Sequence, residues 1–208
     1  MNKRYIGMLV TLCLSAVAAW GQPQPTEPTV KGPIDFLSAH DARVRSLLQK
    51  APSDTLSRAL KDTIKAKINA AFDFEELSRL ALGTHWEQRT PDERAHFVRT
   101  FSGIIREQNF DSFVRYYRES TIRYDSQQVD GDKAVVMASV PLERETVAIA
   151  YDLHRRDDRW LVCDLSIDGA STAEGNRRRY ARYLEKKSYD MLIQQLDKQL
   201  ARLQEDGK

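Results

Sequence analysis

The chain is 208 residues long, with 32 Lys+Arg, 30 Asp+Glu and a formal net charge of +2. That near-balance excludes a bulk electrostatic argument for nucleic acid or for strong attraction to an anionic membrane. A chain of this length can bury a sizeable core in one domain, and no second domain is needed.

The start reads as a targeting segment. Lys3 and Arg4 give a short basic end, and residues 5–18 form an apolar run interrupted by Thr11 and Ser15. Small residues follow at Ala18, Ala19 and Gly21, which is the layout of a secretory signal peptide over residues 1–21. The run is shorter than the ~20 residues a spanning helix needs. Cleavage would remove Lys3, Arg4 and Cys13, leaving a formally neutral chain with Cys163 as its one cysteine and no internal disulfide. Residues 22–32, rich in Pro, Thr and Gln, read as a disordered leader. A single domain over 33–205 is expected behind it.

Helical patterning begins at Pro33 and carries Ile34, Leu37, Val44, Leu47 and Leu48. A second helix after Ser53 places Leu56, Leu60, Ile64 and Ile68 on one stripe. A short helix with Leu77, Leu80 and Leu82 ends at Gly83. Thr90-Pro91-Asp92-Glu93 is the clearest helix start, with a capping box and Pro at the first helical position. One long helix is expected behind it, carrying Phe97, Phe101, Ile104, Ile105, Phe110, Phe113, Val114 and Tyr117.

Strands follow over 121–129, 133–142, 146–155 and 159–168. Val147, Ile149, Tyr151 and Leu153 alternate with polar or small residues, and Ala134, Val136, Ala138 and Val140 form the matching row. Helix resumes over 176–187 and 188–203. The expected fold is α+β: N-terminal helices, a four-stranded antiparallel curved sheet and C-terminal helices.

Few groups carry chemistry. His40, His85, His96 and His154 lack the spacing of a metal pair, no Gly-x-Ser-x-Gly elbow or phosphate-cradling loop occurs, and neither metal nor cofactor is expected. The histidines read as surface or packing residues, and Cys163 as a buried, inert thiol on an apolar row. Asp164 shares alternating positions with Trp160 and Val162, so it is expected to point inward. There it serves either as a general base or as an acceptor fixing the sheet-to-helix corner. Arg177, Arg178, Arg179 and Arg182 crowd one stretch, either as a solvated helix face or as a docking patch for a partner.

The aromatic and branched surface exceeds what one covering layer requires. It fits either an ordinary core or a cavity between sheet and helices. On the second reading the helical lining is Leu82, Phe97, Phe101, Ile104, Ile105, Phe113 and Tyr117. The strand lining is Val136, Ala138, Val140, Val147, Ile149, Tyr151, Leu153, Trp160 and Val162, with Ala170 after the last strand.

The run from Phe72-Asp73-Phe74-Glu75-Glu76-Leu77 through Gly83-Thr84-His85-Trp86, with Thr90-Pro91-Asp92-Glu93-Arg94 behind it, resembles the MlaC family of periplasmic toluene-tolerance lipid carriers. Tyr151-Asp152-Leu153, Trp160-Leu161-Val162-Cys163-Asp164-Leu165 and Asp168-Gly169-Ala170-Ser171 are similar to the same family. Thr172 to Asn176 departs from its usual large apolar continuation. The resemblance implies an NTF2-like cone enclosing phospholipid tails, with no catalytic role. It also implies a relay between an inner-membrane ABC-type transport complex and an outer-membrane lipoprotein complex that maintains outer-membrane lipid asymmetry. A monomer that binds no nucleic acid is expected. The alternatives are a small-substrate enzyme using Asp164, and a ligandless periplasmic adaptor.

Overall fold

A computed structural model describes residues 32–49 and 56–206. The expected signal peptide, and the leader apart from Gly32, lie outside the described residues. Helix α1 (Pro33–Gln49) starts with Pro33 in the first turn, where its missing N–H costs nothing. Helix α2 (Arg58–Asn69) is capped by Ser57, and α3 (Phe74–Leu82) by Asp73, whose Oδ1 accepts from Glu76 N at 3.0 Å. Gly83 follows α3 at φ 60°, a backbone that glycine tolerates best. Helix α4 (Pro91–Gln108) has the expected capping box, with Thr90 N donating to Glu93 Oε2 at 2.7 Å and Glu93 N to Thr90 Oγ1 at 3.3 Å.

The long helix expected to reach Tyr117 is two helices. Asn109 interrupts it, and α5 (Phe110–Glu119) restarts there. Asn is a weak helix former in mid-helix because its side chain competes for backbone groups. The consequence is large, because the aromatic stripe divides at this point between two cores.

Among the described residues the sheet has five strands, not four. Strands β1 (Arg123–Asp130), β2 (Lys133–Pro141), β3 (Thr146–Arg156), β4 (Arg159–Ile167) and β5 (Ala170–Ser171) form an antiparallel sheet in chain order. The fifth is two residues long, too short for alternation to register in sequence. Asp168 and Gly169, both at positive φ, turn the chain back so that Ala170 and Ser171 pair with Ile167 and Ser166. Helix α6 (Thr172–Leu184) starts earlier than expected, because Ser171 Oγ accepts from Glu174 N at 2.9 Å and caps it. Helix α7 (Tyr189–Asp206) closes the described fold.

Among the described residues two apolar cores result. In the first, the β2–β4 row of Val136, Val140, Ile149, Leu153, Trp160 and Val162 packs against α1, α2 and α5 through Leu37, Val44, Ile64, Ile68 and Tyr117. In the second, α3, α4, α6 and α7 meet around Leu77, Leu82, Phe97, Phe101, Ile104, Tyr180 and Leu192. Phe97 and Phe101 stack at 5.5 Å, and Tyr180 meets both edge-on. Phe72 packs against both cores, at the segment that bonds to β4.

Candidate functional site in the sheet-facing core

A cavity of about 20 Å³ lies in the first core. Its walls are Leu37, His40 and Asp41 of α1; Ile68, Ala71 and Phe72 at the end of α2; Phe113, Tyr116 and Tyr117 of α5; then Ile122, Ile149, Tyr151 and Val162. Of the lining expected from sequence, Phe113, Tyr117, Ile149, Tyr151 and Val162 stand on this wall. Val136, Ala138, Val140, Val147, Leu153 and Trp160 are buried in the same core around it.

The remaining expected residues lie elsewhere. Leu82, Phe97, Phe101, Ile104 and Ile105 belong to the second core. Leu82 reaches that core from α3. For the four residues of α4 the break at Asn109 is the reason, since α4 packs on α7 and against Tyr180 of α6 while α5 joins the sheet-facing core. Ala170 is exposed on β5. Arg177, Arg178, Arg179 and Arg182 lie on α6, which packs on α3, α7, β4 and β5 and contributes nothing to the cavity wall. The stem of Arg177 runs beside Gly83, where an added Cβ would meet it at 3.1 Å.

Sequence reasoning missed the α1 and α2 contribution. On sequence His40 reads as a surface or packing residue and Asp41 is given no role; both are buried. Their place on the Leu37–Val44 stripe was the available signal: a polar pair standing in an apolar register.

The polar part of the wall is organised around these two residues. His40 Nε2–H donates to the Ile68 carbonyl at 3.1 Å. Burial holds its imidazole down at about 4, with Arg43 and Lys67 acting in the same direction and the Ile68 bond opposing. Asp41 Oδ1 accepts from Tyr117 Oη at 2.6 Å, and its Oδ2 accepts from Tyr124 Oη. Burial raises the Asp41 carboxyl, while the two tyrosine bonds and Arg45 lower it. Burial and Asp41 push the hydroxyls of Tyr117, Tyr124 and Tyr151 up, so all three are donors at neutral pH.

Asp164 does not share a face with Trp160 and Val162. Tyr151 pairs with Leu165 and Leu153 with Val162, leaving an extra residue in β4 between the register positions. This bulge at Cys163 reverses the alternation and turns Asp164 to the opposite face. There its oxygens accept from Leu165 N at 2.8 Å, Ala173 N at 2.9 Å and Ser171 Oγ at 2.5 Å. The carboxylate fixes the β4–α6 corner. Cys163 is half-buried and lines an open groove of about 410 Å³ on that same outer face, with Glu76, Arg79 and His154. Burial and nearby Asp152, Glu76 and Asp164 push its thiol up to about 12, so the thiolate nucleophile is scarce. His154 is tied to Asp73 at 2.9 Å and His96 to Asp197 at 3.1 Å. Among the described residues no group of three or more His, Cys, Asp or Glu side chains is placed to hold a metal ion.

The family model described as MlaC protein matches residues 39–198. The chain belongs to the MlaC family. The match runs from the residue before His40 to the middle of α7, so it takes in most of both cores and the whole cavity wall except Leu37. No curated protein matches the sequence significantly. Among solved structures, this MlaC-family chain is similar to a phospholipid-binding protein from Ralstonia solanacearum, determined in complex with a phospholipid. The two are 25% identical with a TM-score of 0.62, over 82% of this chain and 93% of that one.

Proposed function

We propose that this protein binds phospholipid between the sheet and α1, α2 and α5, and carries it across the periplasm. The observation that carries this reading is the coincidence of the MlaC family with a sheet-facing cavity, in a fold similar to a protein solved with phospholipid bound. Cargo would pass between an inner-membrane ABC-type complex and an outer-membrane lipoprotein complex, sustaining outer-membrane lipid asymmetry. A cleaved signal peptide would deliver the chain to that compartment.

The physical need is plain. Two acyl chains carry roughly 30 methylenes, and exposing them at about 0.8 kcal/mol each costs on the order of 25 kcal/mol. A protein interior replaces one hydrocarbon-like surrounding with another, so loading and release can be nearly balanced without a catalytic group. Direction then belongs to the partners. The basic row on α6, Arg177, Arg178, Arg179 and Arg182, is proposed as a surface that meets them.

Extraction of the purified native protein with organic solvent, followed by mass spectrometry, tests the reading. Stoichiometric diacyl phospholipid is expected. A protein that carries none, and takes none from vesicles, would overturn it.

A further inference from the structure

A cavity of about 20 Å³ has room for roughly one water, whereas ligand pockets run to several hundred Å³. Admitting an acyl chain therefore requires one wall to move. The strands are held by antiparallel ladders along most of their length, broken by one bulge in each of the β1–β2 and β3–β4 pairs. The end of α2 is stitched to β4, with Val162 N donating to Ala71 O at 2.8 Å and Asp73 N to Val162 O at 2.9 Å. Helix α5 is joined to α4 at Asn109 and runs into β1 within three residues. Helix α1 is fastened differently. Among the described residues, its hydrogen bonds to other elements all use a side chain: Gln127 with Ile34 N, His40 with Ile68 O, Arg45 with Tyr117 O, and Asp41 with two tyrosines.

Resting on the carrier reading above, we infer that α1 is the movable wall of the cavity and that Asp41 is the catch holding it against α5 and β1, a positioning residue for lipid loading. One carboxylate spans two walls, because Tyr117 belongs to α5 and Tyr124 to β1. In the closed arrangement the charge is desolvated but twice hydrogen-bonded. With α1 displaced it regains water. Desolvation and hydrogen bonding nearly offset, so the fastening is specific without being strong. Arg45 adds to this balance: Nη1 donates to Tyr117 O at 2.8 Å, while Nη2 is buried without a partner, a cost that opening relieves.

The test measures uptake of a fluorescent phosphatidylethanolamine from vesicles of phosphatidylethanolamine and phosphatidylglycerol, together with backbone hydrogen exchange. The chains compared are wild type, Tyr124→Phe, Asp41→Ala and Ile104→Val. Tyr124→Phe removes one donor and keeps the ring, so it remains informative if Asp41→Ala does not fold. Loading about three- to tenfold faster is expected for Tyr124→Phe, with the lipid content at saturation unchanged. Faster exchange should be confined to α1. Ile104→Val, which weakens the second core, should leave the loading rate alone, separating the catch from general loosening. Wild-type loading with an unaltered rate and unaltered α1 exchange in Tyr124→Phe would overturn the catch alone. A wild type that takes up no lipid would overturn the carrier reading and the catch with it.

Discussion

The backbone N–H of Ala173, in the first turn of α6, donates to Oδ1 of Asp164 on β4 at 2.9 Å. A strand carboxylate thus serves the positive end of the helix that follows it, across the tight turn at Asp168-Gly169. Ser171 bonds the other oxygen and also caps the helix, so one acid organises the whole corner.

Replacing Asp164 with Asn should therefore lower stability and leave lipid content unchanged. The amide keeps an oxygen for the two backbone donors but loses charge assistance, worth about 1–2 kcal/mol. Asp164→Ala should cost more, since buried N–H groups lose their acceptor. Urea melts and lipid extraction on the same preparations check both halves. Loss of lipid in a folded Asp164→Asn protein would contradict the corner role.

Much of this was legible in sequence. The capping box at Thr90, the hairpin row of β2 and β3, and the helical ends of the chain are local signals, and the structure contains them. Three features were not legible, each for a physical reason. The bulge at Cys163 inverts the alternation by one residue, and it is a register between two strands, which the hydrophobic pattern of one strand alone does not record. The break at Asn109 splits one aromatic stripe between two cores, although the periodicity runs through it. The pair His40 and Asp41 is polar by type and buried by context, because its partners Ile68, Tyr117 and Tyr124 lie far along the chain.

The two-core division yields a prediction of its own. Ile149 is buried on the cavity wall, so Ile149→Glu places a carboxylate in an apolar site at a cost of several kcal/mol unless it is neutralised. Folded Ile149→Glu protein should carry no lipid. In the second core, Ile104→Val should cost about 1 kcal/mol and leave lipid content as in wild type. Mass spectrometry of extracts from both variants decides the matter. Full lipid in folded Ile149→Glu would move the ligand out of the sheet-facing core.

Acid should weaken the fold through His40. Its imidazole titrates near 6.5 when unfolded and at about 4 when folded, because burial disfavours the cation. Between those values the unfolded chain binds the extra proton, so stability falls as pH drops from 6.5 toward 4 and levels off below. The loss is on the order of 3 kcal/mol at most. Asp41 acts with the opposite sign: its raised carboxyl takes a proton in the fold above the unfolded value of 3.8, which returns some stability in acid. A His40→Gln variant should show a flatter stability profile between pH 7 and pH 4.5 than wild type. Urea midpoints at the two pH values measure it, and parallel profiles would rule out His40 as the source.

The last prediction concerns the basic row on α6. Arg178 is exposed and paired with Glu174 at 2.8 Å, so within the chain it is worth little, as exposed ion pairs are. Its value would lie in encounter. A shuttle must reach two membrane complexes and leave both, which favours weak contacts whose charges set the association rate more than the affinity. Reversal at two positions, Arg178→Glu with Arg182→Glu, should slow transfer between membranes that carry the partner complexes by about tenfold at low salt. The deficit should shrink near 0.5 M salt, where screening shortens the reach of these charges to roughly 4 Å. Lipid content should stay at the wild-type level, since α6 contributes nothing to the cavity wall. A transfer assay at both salts, beside lipid extraction from the same preparation, separates docking from cargo binding. Equal transfer rates for wild type and variant at both salts would make the row an ordinary solvated helix face.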